Sequence, residues 1–475
     1  MNDPNGLIFA GGRYHLFYQY NPHSNVWDTI HWGHASSADL LHWQHHPIAL
    51  APEPGSIDGD GVFSGCATLN GETPTLMYTA HRFLENGGEH QVLALATSDA
   101  LMLEWVKHPR NPVLEAASVP LALTGFRDPF LWREADGWHL AVGAGLERGP
   151  GLILHYTSPN LLEWDYQCEL LRGILEPHHR ANPADPLGLQ TRYGFWECPN
   201  FFAPPDNTRA GEPAGEHVLL VSRIPERDVW AFIGDYDGRR FHPRAQGAFG
   251  AGLFYAPQTF RDGGGRTLCF GWIPERGPEG AGSPRLESEW NGVMSLPRVL
   301  TLEAGRLMQR PAPELEALRS RPVYDGELTL ESDVLEPLPF SGDALELKFE
   351  VELDGLEFWR MALRGSSEGA QDYWLVYDAL KHTLSVDLER SSFWESGADD
   401  PNAAWVTLKL EPQHTLRLHV FLDASVLEVF VDGQALTSRL YSSGGQGWSL
   451  ALFARGPSPR TRMQVWALED VWEQD

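Results

Sequence analysis

Residues 2–20, NDPNGLIFAGGRYHLFYQY, contain the pattern that decides the fold. An apolar run at Leu7-Ile8-Phe9 is followed by Gly11-Gly12 and then by a second apolar run from Tyr14 to Tyr20. Glycine turns between alternating apolar residues are the strongest local signal of a β-hairpin. The stretch therefore predicts a hairpin, and an acidic residue, Asp3, lies just before it.

The same pattern of apolar run, turn and apolar run occurs four more times before residue 300. The later copies are Ala67–Leu69 with Leu76–Thr79, Phe130–Trp132 with Trp138–Val142, Phe201-Phe202 with Val218–Val221, and Thr259-Phe260 with Thr267–Trp272. A second element ending in Trp43, Trp105 or Trp164 follows three of the hairpins, at intervals of about 60 residues. Strand repeats of this length indicate blades of four strands. We therefore predict an all-β chain with a five-bladed β-propeller at residues 1–300; a β-sandwich with accidental similarity is the alternative.

The pattern changes near residue 300. The segment Glu314–Arg319, which has prolines on both sides, predicts a short helix in a linker at residues 301–325. Strict alternation then returns in Leu345–Val351 and in most of Leu416–Leu422, and Asp432-Gly433 marks a hairpin turn. These signals predict an antiparallel β-sandwich at residues 326–475.

Composition limits the classes of partner. The formal net charge of -28 repels nucleic acid and anionic membrane surfaces, and the chain has no apolar run long enough for a transmembrane helix. The four cysteines lack metal-site or disulfide spacing, and no loop resembles an EF-hand. We expect a neutral partner, no nucleic acid, no membrane, no cofactor and no catalytic metal. Oligomeric state is not indicated.

The start of the chain shows no charged segment followed by an apolar one, so it does not read as a signal peptide. This favours a cytoplasmic location, with a truncated N-terminus as the alternative.

Acidic residues stand at equivalent points of the repeat. Asp3, Asp128 and Glu197 precede the first, third and fourth hairpins, within Asn2-Asp3-Pro4-Asn5-Gly6, Arg127-Asp128-Pro129 and Glu197-Cys198-Pro199. Each string alone is typical of a turn. In a propeller, however, the first strands of the blades line a central channel, so their starts gather at one mouth. The repeat therefore predicts that the three carboxylates share one pocket.

Such a cluster has a defined chemistry. Neighbouring carboxylates raise one another's pKa, so one can stay protonated as a general acid while another, ionised, acts as a nucleophile. The third can hold substrate hydroxyls. We expect Arg127 to keep Asp128 ionised by charge pairing. Two working carboxylates with these roles are typical of a retaining glycosidase.

The three acidic strings resemble the signatures of glycoside hydrolase family 32, which comprises invertases, exo-fructanases and related fructosyltransferases. Further similar motifs are Phe17–Pro22, His31–Ala35, Phe63-Ser64-Gly65 and Ser295–Arg298, and the likeness continues in Phe421–Phe430. The resemblance implies Asp3 as nucleophile, Glu197 as acid and base, and Asp128 as the group that binds the 3- and 4-hydroxyls of fructose and stabilises the transition state. It also implies that the fructosyl unit is gripped by Asn2, Gln19, Trp27, Phe63, Ser64 and Arg127, with Trp272 in the pocket wall.

We therefore expect a β-fructofuranosidase that hydrolyses terminal β-D-fructofuranosyl residues of sucrose and short fructans through a covalent fructosyl-enzyme. One alternative is a fructosyltransferase, which would make longer oligosaccharides at high sucrose. Another is a non-catalytic fructan-binding propeller, which would bind without turnover. The acidity of the chain disfavours a phosphorylated substrate, although Arg82 or Arg223 could act locally.

Overall fold

The computed structural model describes residues 1–85, 87–147, 149–173, 194–204, 215–275, 290–365, 372–388, 405–441 and 447–471. Contacts divide the chain into two compact units, one made mainly of residues before Met308 and one mainly of residues from Met308 onward. The interval 301–325 holds the end of one strand, the whole of a second, a 3-10 helix at Pro313–Leu318 and the start of a third strand. The boundaries at 300 and 326 remain predictions.

The first unit is the predicted five-bladed propeller, with four main strands in each blade. Blade 1 contains β1 (Pro4–Ala10), β2 (Arg13–Tyr20), β3 (His31–Ser37) and β4 (Trp43–Leu50). Blade 2 contains β5 (Gly61–Asn70), β6 (Thr73–Phe83), β7 (Glu89–Ser98) and β8 (Trp105–Lys107), with the short β9 (Leu114–Glu115) beside β7 and a 3-10 helix at Ala116–Ser118 after it. Blade 3 contains β10 (Leu123–Glu134), β11 (Gly137–Leu146), β12 (Gly151–Ser158) and β13 (Asp165–Arg172).

The last two blades complete the ring of repeats. Blade 4 contains β14 (Phe195–Phe202), β15 (Gly215–Ile224), β16 (Asp228–Tyr236) and β17 (Phe241–Ala248), and β18 (Ala251–Gly252), which follows, belongs to the second unit. Blade 5 contains β19 (Tyr255–Arg261), β20 (Thr267–Ile273), β22 (Arg298–Glu303) and β23 (Arg306–Pro311), with the short β21 (Val293–Met294) beside β20. One bridge, between Gly145 and Phe195, joins blades 3 and 4 into a single sheet.

Every innermost strand carries a β-bulge near its start. The register with the second strand shifts at Asn5/Ile8, Phe63/Gly65, Arg127/Phe130, Glu197/Asn200 and Tyr255/Gln258. At three of the bulges, Asp128, Cys198 and Ala256 have φ of 61°, 47° and 47°, and a proline follows each one. A bulge bends the strand and redirects its side chains, and it tolerates proline because the ladder hydrogen bond is already interrupted there. The strings that read as turns therefore lie inside strands in blades 3 and 4.

The three repeated tryptophans close one kind of turn between the third and fourth strands of a blade. The indole N–H groups of Trp43, Trp105 and Trp164 donate to the carbonyls of Leu40, Met102 and Leu161 at 3.0, 3.1 and 3.0 Å. Those three acceptor residues are buried and have positive φ. The tryptophan thus satisfies a buried carbonyl, which explains why the element repeats.

The apolar core lies between neighbouring blades. Phe17 and Trp32 of blade 1, for example, pack with Leu76, Tyr78 and Val92 of blade 2 in one buried cluster. Similar clusters join blades 2 and 3, blades 3 and 4, and blades 4 and 5. Each blade therefore buries its faces against the next one.

Side-chain amides link the innermost strands around the axis. The Leu7 N–H donates to the Gln258 amide oxygen at 3.0 Å, and the Gln258 amide nitrogen donates to the Gly65 carbonyl. The Asn5 amide oxygen accepts from the Gly65 N–H at 3.3 Å, and the Asn200 amide oxygen accepts from the Thr259 N–H at 2.7 Å. The first and fifth blades are thus joined directly.

The second unit is the predicted β-sandwich of two sheets. Its strands are β24 (Arg319–Thr329), β25 (Leu335–Gly342), β26 (Ala344–Glu352), β27 (Phe358–Arg364), β28 (Asp372–Asp378), β29 (Thr383–Asp387), β30 (Trp405–Lys409), β31 (Thr415–Asp423), β32 (Val426–Val431), β33 (Gln434–Arg439), β34 (Trp448–Arg455) and β35 (Arg460–Leu468). One sheet has the order β18-β33-β32-β31-β26-β35-β24 and the other β25-β34-β27-β28-β29-β30. The described part of the chain holds no helix with the length and apolarity to cross a membrane.

Replacing Trp105 with Phe tests the repeated turn. The ring packs edge-on against Phe17, so Phe keeps most of that contact but leaves the Met102 carbonyl without its donor. We expect the free energy of unfolding to fall by about 1 kcal/mol, measured by thermal denaturation. Leu101→Ala, at a residue 69% exposed in the same turn, is the control and should change stability by less than about 0.5 kcal/mol. Equal stability of Trp105→Phe and the parent would contradict the assigned role of the indole N–H.

Candidate active site

Backbone pairing places Asp3 at the start of the innermost strand of blade 1. The Asn2 N–H donates to the Gln19 carbonyl at 3.1 Å, and the Gln19 N–H donates to the Asp3 carbonyl at 3.0 Å. The N-terminal ammonium donates to the Asn291 carbonyl at 2.7 Å. Hydrogen bonds therefore fix the main chain on both sides of Asp3.

Polar side chains of blades 1 and 2 hold the Asp3 carboxylate. Asn2 Nδ2 donates to Asp3 Oδ1 at 3.3 Å, and Ser64 Oγ donates to Asp3 Oδ2 at 2.6 Å. Gln19 lies behind both donors, since its Oε1 accepts from Asn2 and its Nε2 donates to Ser64 at 2.6 Å. Asn2, Gln19 and Ser64 are buried, so the carboxylate sits in a fixed polar frame.

The bulge of blade 3 brings Asp128 beside Asp3. The Asp128 N–H donates to Thr79 Oγ1 at 2.9 Å, and Asp128 Oδ2 accepts from the Cys198 N–H at 3.0 Å. The Cys198 thiol lies 3.5 Å from Asp128 Oδ2 and 3.7 Å from Asp3 Oδ2. One sulfur atom thus contacts both carboxylates, which shows that the first and third blades converge at this point.

Glu197 completes the cluster from blade 4. Arg127 donates to Glu197 Oε1 through Nη2 at 2.6 Å and Nε at 3.1 Å, while Tyr255 Oη donates to Glu197 Oε2 at 2.6 Å. The Arg127 guanidinium also stacks on the Phe195 ring at 3.8 Å. Glu197 therefore has a donor on each carboxylate oxygen.

Arg127 forms the expected ion pair with Asp128 only at long range, and the prediction that this pair keeps Asp128 ionised is wrong. Arg127 Nε is 3.9 Å from Asp128 Oδ2, whereas the guanidinium makes its short contacts to Glu197. Burial raises the pKa of Asp128 to about 7; Arg127 lowers it by a smaller amount, and Glu197 and Asp3 raise it further. The arginine side chain reaches across to the neighbouring blade, so it does not keep the adjacent aspartate ionised.

The other groups of the cluster also have shifted pKa values. Burial raises the pKa of Asp3 to about 6; the hydrogen bond from Ser64 opposes the shift and the charge of Glu197 adds to it. Burial, together with the nearby carboxylates, raises the pKa of the Cys198 thiol well above its ordinary value. Burial and the Glu197 charge likewise raise the pKa of Tyr255. The thiol and the phenol therefore stay protonated at neutral pH and can serve only as donors or neutral contacts.

The three predicted aromatic residues lie around this cluster. The Phe63 ring stacks on His81 at 4.1 Å and meets the ring of Trp27, which is 55% exposed, at 5.6 Å. Trp272 stands opposite Tyr255 in the β19–β20 pair, and its indole N–H has no hydrogen-bond partner among the described residues. Their contact with a substrate remains a prediction.

Two residues of the site were given no role from the sequence. Tyr255 donates to Glu197, and Gln91 Oε1 accepts from the Phe126 N–H at 3.0 Å and from Arg127 Nη1 at 3.5 Å. The repeat does carry a signal for Tyr255, because it stands at the bulge of blade 5 as Glu197 stands at that of blade 4. Gln91 lies in β7, outside the innermost strands, and the repeat gives no comparable signal there.

A large cavity among the described residues of the propeller lies away from these carboxylates. It measures about 1330 Å³ and is lined by the far ends of the innermost strands, including Phe130, Trp132 and Phe201. A constriction of about 10 Å³ beside Ser64 and Asp128, with room for about one water molecule, lies on the axis. We assign the candidate active site to the carboxylate cluster because the lining of the large cavity contains none of Asp3, Asp128 and Glu197.

Comparison with known proteins agrees with this arrangement. Residues 1–311 match the glycosyl hydrolases family 32 N-terminal domain, and residues 314–467 match the family 32 C-terminal domain. The chain belongs to glycosyl hydrolase family 32. It is therefore a glycoside hydrolase, as the resemblance of its motifs implied, and its relatives include invertases and sucrose-6-phosphate hydrolases.

Individual relatives support the same family. The chain is 35% identical over 460 residues to a sucrose-6-phosphate hydrolase of Zymomonas mobilis, covering 93% of this chain and 83% of that protein. It is 29% identical to the raffinose invertase of Escherichia coli, covering 98% and 92%. Among solved structures it is similar to the Bombyx mori family 32 β-fructofuranosidase BmSUC1, with 26% identity, a TM-score of 0.77 and coverage of 99% and 92%. Fructan 1-exohydrolase IIa of Cichorium intybus shares the fold, with a TM-score of 0.81 at 24% identity and coverage of 99% and 95%.

Asp128→Asn tests the buried electrostatics of the site. The folded-state pKa of Asp128 lies above its unfolded value of 3.8, so protonation stabilises the fold below pH 3.8 and that contribution is lost as the pH rises through about 7. The amide of the Asp128→Asn variant cannot ionise, so this group does not lower its folding stability as the pH rises. We expect the variant to be more stable than the parent at pH 8, by up to about 4 kcal/mol, with the difference shrinking towards pH 4; thermal denaturation across pH measures it.

Asp39→Asn is the matched control. Partial burial opposes the shift, but hydrogen bonds from His42 and Leu41 hold the pKa of Asp39 below its ordinary value. Replacement of Asp39 should therefore lower stability at neutral pH, whereas replacement of Asp128 should raise it. A constant difference between Asp128→Asn and the parent from pH 4 to pH 8 would contradict a raised pKa for Asp128.

Proposed function

We propose that this family 32 hydrolase cleaves terminal β-D-fructofuranosyl residues from sucrose and short fructans with retention of configuration. The observation that carries the proposal is the convergence of Asp3, Asp128 and Glu197 in one hydrogen-bonded cluster. Two carboxyl groups with separate duties are what glycoside hydrolysis needs, and the third is free to bind hydroxyl groups.

Asp3 is assigned as the nucleophile. Its carboxylate is oriented by Asn2 and Ser64, and a fixed donor on each oxygen leaves the remaining lone pairs available for attack. Attack on the anomeric carbon forms the bond to Asp3 as the bond to the leaving oxygen breaks. Glu197 supplies the proton that the leaving oxygen takes up.

Glu197 then acts as the base. It removes a proton from the water that attacks the same anomeric carbon, which releases fructose and restores both carboxyl groups. Arg127 and Tyr255 fix the position of the carboxyl group during both steps. The charge of Glu197 raises the pKa of Asp3, so a proton on Glu197 favours an ionised Asp3, which is the combination that the first step requires.

Asp128 is assigned to the 3- and 4-hydroxyls of the fructosyl unit. Its backbone is held by Thr79 and its carboxyl group by the Cys198 N–H, so it presents a fixed polar edge beside Asp3. Hydrogen bonds of this kind strengthen as positive charge develops on the sugar ring, which stabilises the transition state.

The substrate class rests on the relatives and neighbours. Related chains are named sucrose-6-phosphate hydrolase and raffinose invertase, and similar solved structures hold sucrose or 1-kestose. The substrates in these names and titles are all fructosides, and we therefore propose a fructose-containing oligosaccharide as substrate. Its neutrality is proposed on the formal net charge of -28, which disfavours the phosphorylated substrate that the sucrose-6-phosphate hydrolase names describe.

Asp3→Ala and Glu197→Gln test the assigned roles. We expect Asp3→Ala to lower kcat by about 10⁴-fold or more because no covalent intermediate can form. Glu197→Gln should lower kcat for sucrose by about 10²–10⁴-fold, and by less for a fructoside whose leaving group needs no protonation. Release of fructose from both substrates measures the rates.

Glu163→Gln, at an exposed residue of blade 3, is the control and should keep parental turnover. Circular dichroism should show the same fold in every variant. Near-parental cleavage of sucrose and oligofructans by Asp3→Ala would refute the proposed function.

Ser64→Ala tests the link between the frame and the nucleophile. Activity needs an ionised Asp3, so kcat/KM of the parent should fall as the pH drops below about 6. The Ser64 hydrogen bond lowers the pKa of Asp3, and its removal should move this acid limb to higher pH. The pH dependence of kcat/KM on sucrose measures the shift.

Ser98→Ala serves as the matched control. Its hydroxyl donates to the Glu104 carbonyl in blade 2, so its loss should leave the limb in place. If the acid limb of kcat/KM stayed at the same pH in Ser64→Ala, the group that titrates there would not be Asp3.

A further inference from the structure

The adjoining ends of β6 and β7 carry two exposed side chains near the carboxylate cluster. The opposed residues on this face of the two strands are Thr79 with Leu93, His81 with Gln91, and Phe83 with Glu89. Thr79 Oγ1 accepts from the Asp128 N–H, and Phe83 lies four residues further along β6, which is about 13 Å of extended strand. Gly71, in the turn at the other end of β6, lines the large cavity. Phe83 and Glu89 therefore lie on the opposite, outer side of the carboxylates.

A row of rings connects Phe63 to this outer position. The Phe63 ring stacks on His81, whose ring in turn meets that of Phe83 edge-on at 4.8 Å. His81 is buried, whereas Phe83 is 58% exposed. The Phe83 N–H donates to Asp60 Oδ2 at 2.7 Å, so the main chain that bears the exposed ring is fixed. A fixed aromatic ring open to solvent offers a surface on which the apolar face of a sugar can pack at little ordering cost.

Glu89 presents an open carboxylate oxygen beside that ring. Gln91 Nε2 donates to Glu89 Oε2 at 2.9 Å, and His81 Nε2 lies 3.7 Å from the same oxygen. Oε1 has no hydrogen-bond donor among the described residues, and the Glu89 side chain is 41% exposed. The interaction with His81 lowers the pKa of Glu89, partial burial opposes the shift, and the charge of Arg127 adds to the lowering. The carboxylate is therefore ionised at neutral pH and can only accept hydrogen bonds.

The same strands reach the acid and base of the proposed reaction. Gln91 Oε1 accepts from Arg127 Nη1 at 3.5 Å, and Arg127 in turn donates to Glu197. Glu197 is the group assigned to protonate the oxygen that leaves the fructosyl unit, so the sugar on that oxygen lies on the side of Glu197 and Arg127. Glu89 binds Gln91 from the outer side, which places its open oxygen next to this sugar.

We propose that Phe83 and Glu89 bind the leaving-group sugar, the unit joined to the fructosyl residue, and that Glu89 selects a neutral sugar over a phosphorylated one. This inference rests on the proposed function. Phe83 packs against the apolar face of the sugar, and Glu89 Oε1 accepts hydrogen bonds from its hydroxyls. A phosphate group in the same place would bring two anions together, which disfavours binding.

Two arginines that could hold a phosphate do not offset this charge. Arg223 is paired with Asp228 through two hydrogen bonds of 2.7 and 2.6 Å. Arg82 stands between His81 and Phe83 in β6, so its side chain points to the other face of the sheet. The carboxylate of Glu89 therefore decides the local charge that a leaving-group sugar meets on this face.

Steady-state kinetics on sucrose, sucrose 6-phosphate and methyl β-D-fructofuranoside test the site, because the leaving group of the last compound contains no sugar. We expect Phe83→Ala and Glu89→Gln to lower kcat/KM for sucrose by about tenfold or more. The same variants should lower kcat/KM for the methyl fructoside by less than about threefold, since the fructosyl pocket is unchanged. Glu89→Lys should raise the ratio of kcat/KM for sucrose 6-phosphate to that for sucrose by at least about tenfold.

Glu72→Gln and Val106→Ala are matched controls at exposed residues of blade 2. Glu72 lies in the turn at the other end of β6, so its replacement changes the net charge as Glu89→Gln does, but far from the leaving group. Val106→Ala truncates an apolar side chain that is 67% exposed in β8. Both controls should keep the parental kcat/KM on all three substrates.

Equal losses on sucrose and on the methyl fructoside in Phe83→Ala and Glu89→Gln, or no loss on either, would overturn the site, because these side chains would then not act through the leaving-group sugar. A parent that prefers sucrose 6-phosphate to sucrose would overturn the selection assigned to Glu89. A parent that cleaves neither sucrose nor the methyl fructoside would instead contradict the proposed function itself.

Discussion

The propeller depends on how its innermost strands meet around one axis. Among the described residues these strands do not pair directly with one another, so the polar groups that face the axis must find partners other than a neighbouring ladder. The amide side chains of Asn5, Asn200 and Gln258 provide those partners. Asn5 connects the first blade to the second, Gln258 connects the fifth blade to the first, and Asn200 connects the fourth blade to the fifth. The convergence of the carboxylates follows from this closure.

Sequence reasoning predicted the repeat, the fold and the three acidic positions because their signals are local. Glycine turns, alternating apolar residues and the recurrent tryptophan are set by contacts within one blade, as the Trp105–Met102 bond shows. The bulges were less visible from sequence. Asp128-Pro129 reads as a turn, and only the pairing of β10 with β11 shows that the strand continues through it.

The partners of charged groups could not be predicted in the same way, since they depend on contacts between blades. Arg127 is adjacent to Asp128 in sequence, yet its guanidinium reaches Glu197 of the next blade. Tyr255 and Gln91 contact the site from blades 5 and 2.

The bridge between Gly145 and Phe195 gives the three carboxylates unequal mechanical freedom. Asp128 and Glu197 lie on β10 and β14, which belong to one hydrogen-bonded sheet, so backbone pairing sets the distance between them. Asp3 belongs to a separate sheet and meets them through side chains such as Ser64 and Cys198. Movement of the first blade against the third and fourth therefore changes the distance from Asp3 to the other two carboxylates more than it changes the distance between Asp128 and Glu197.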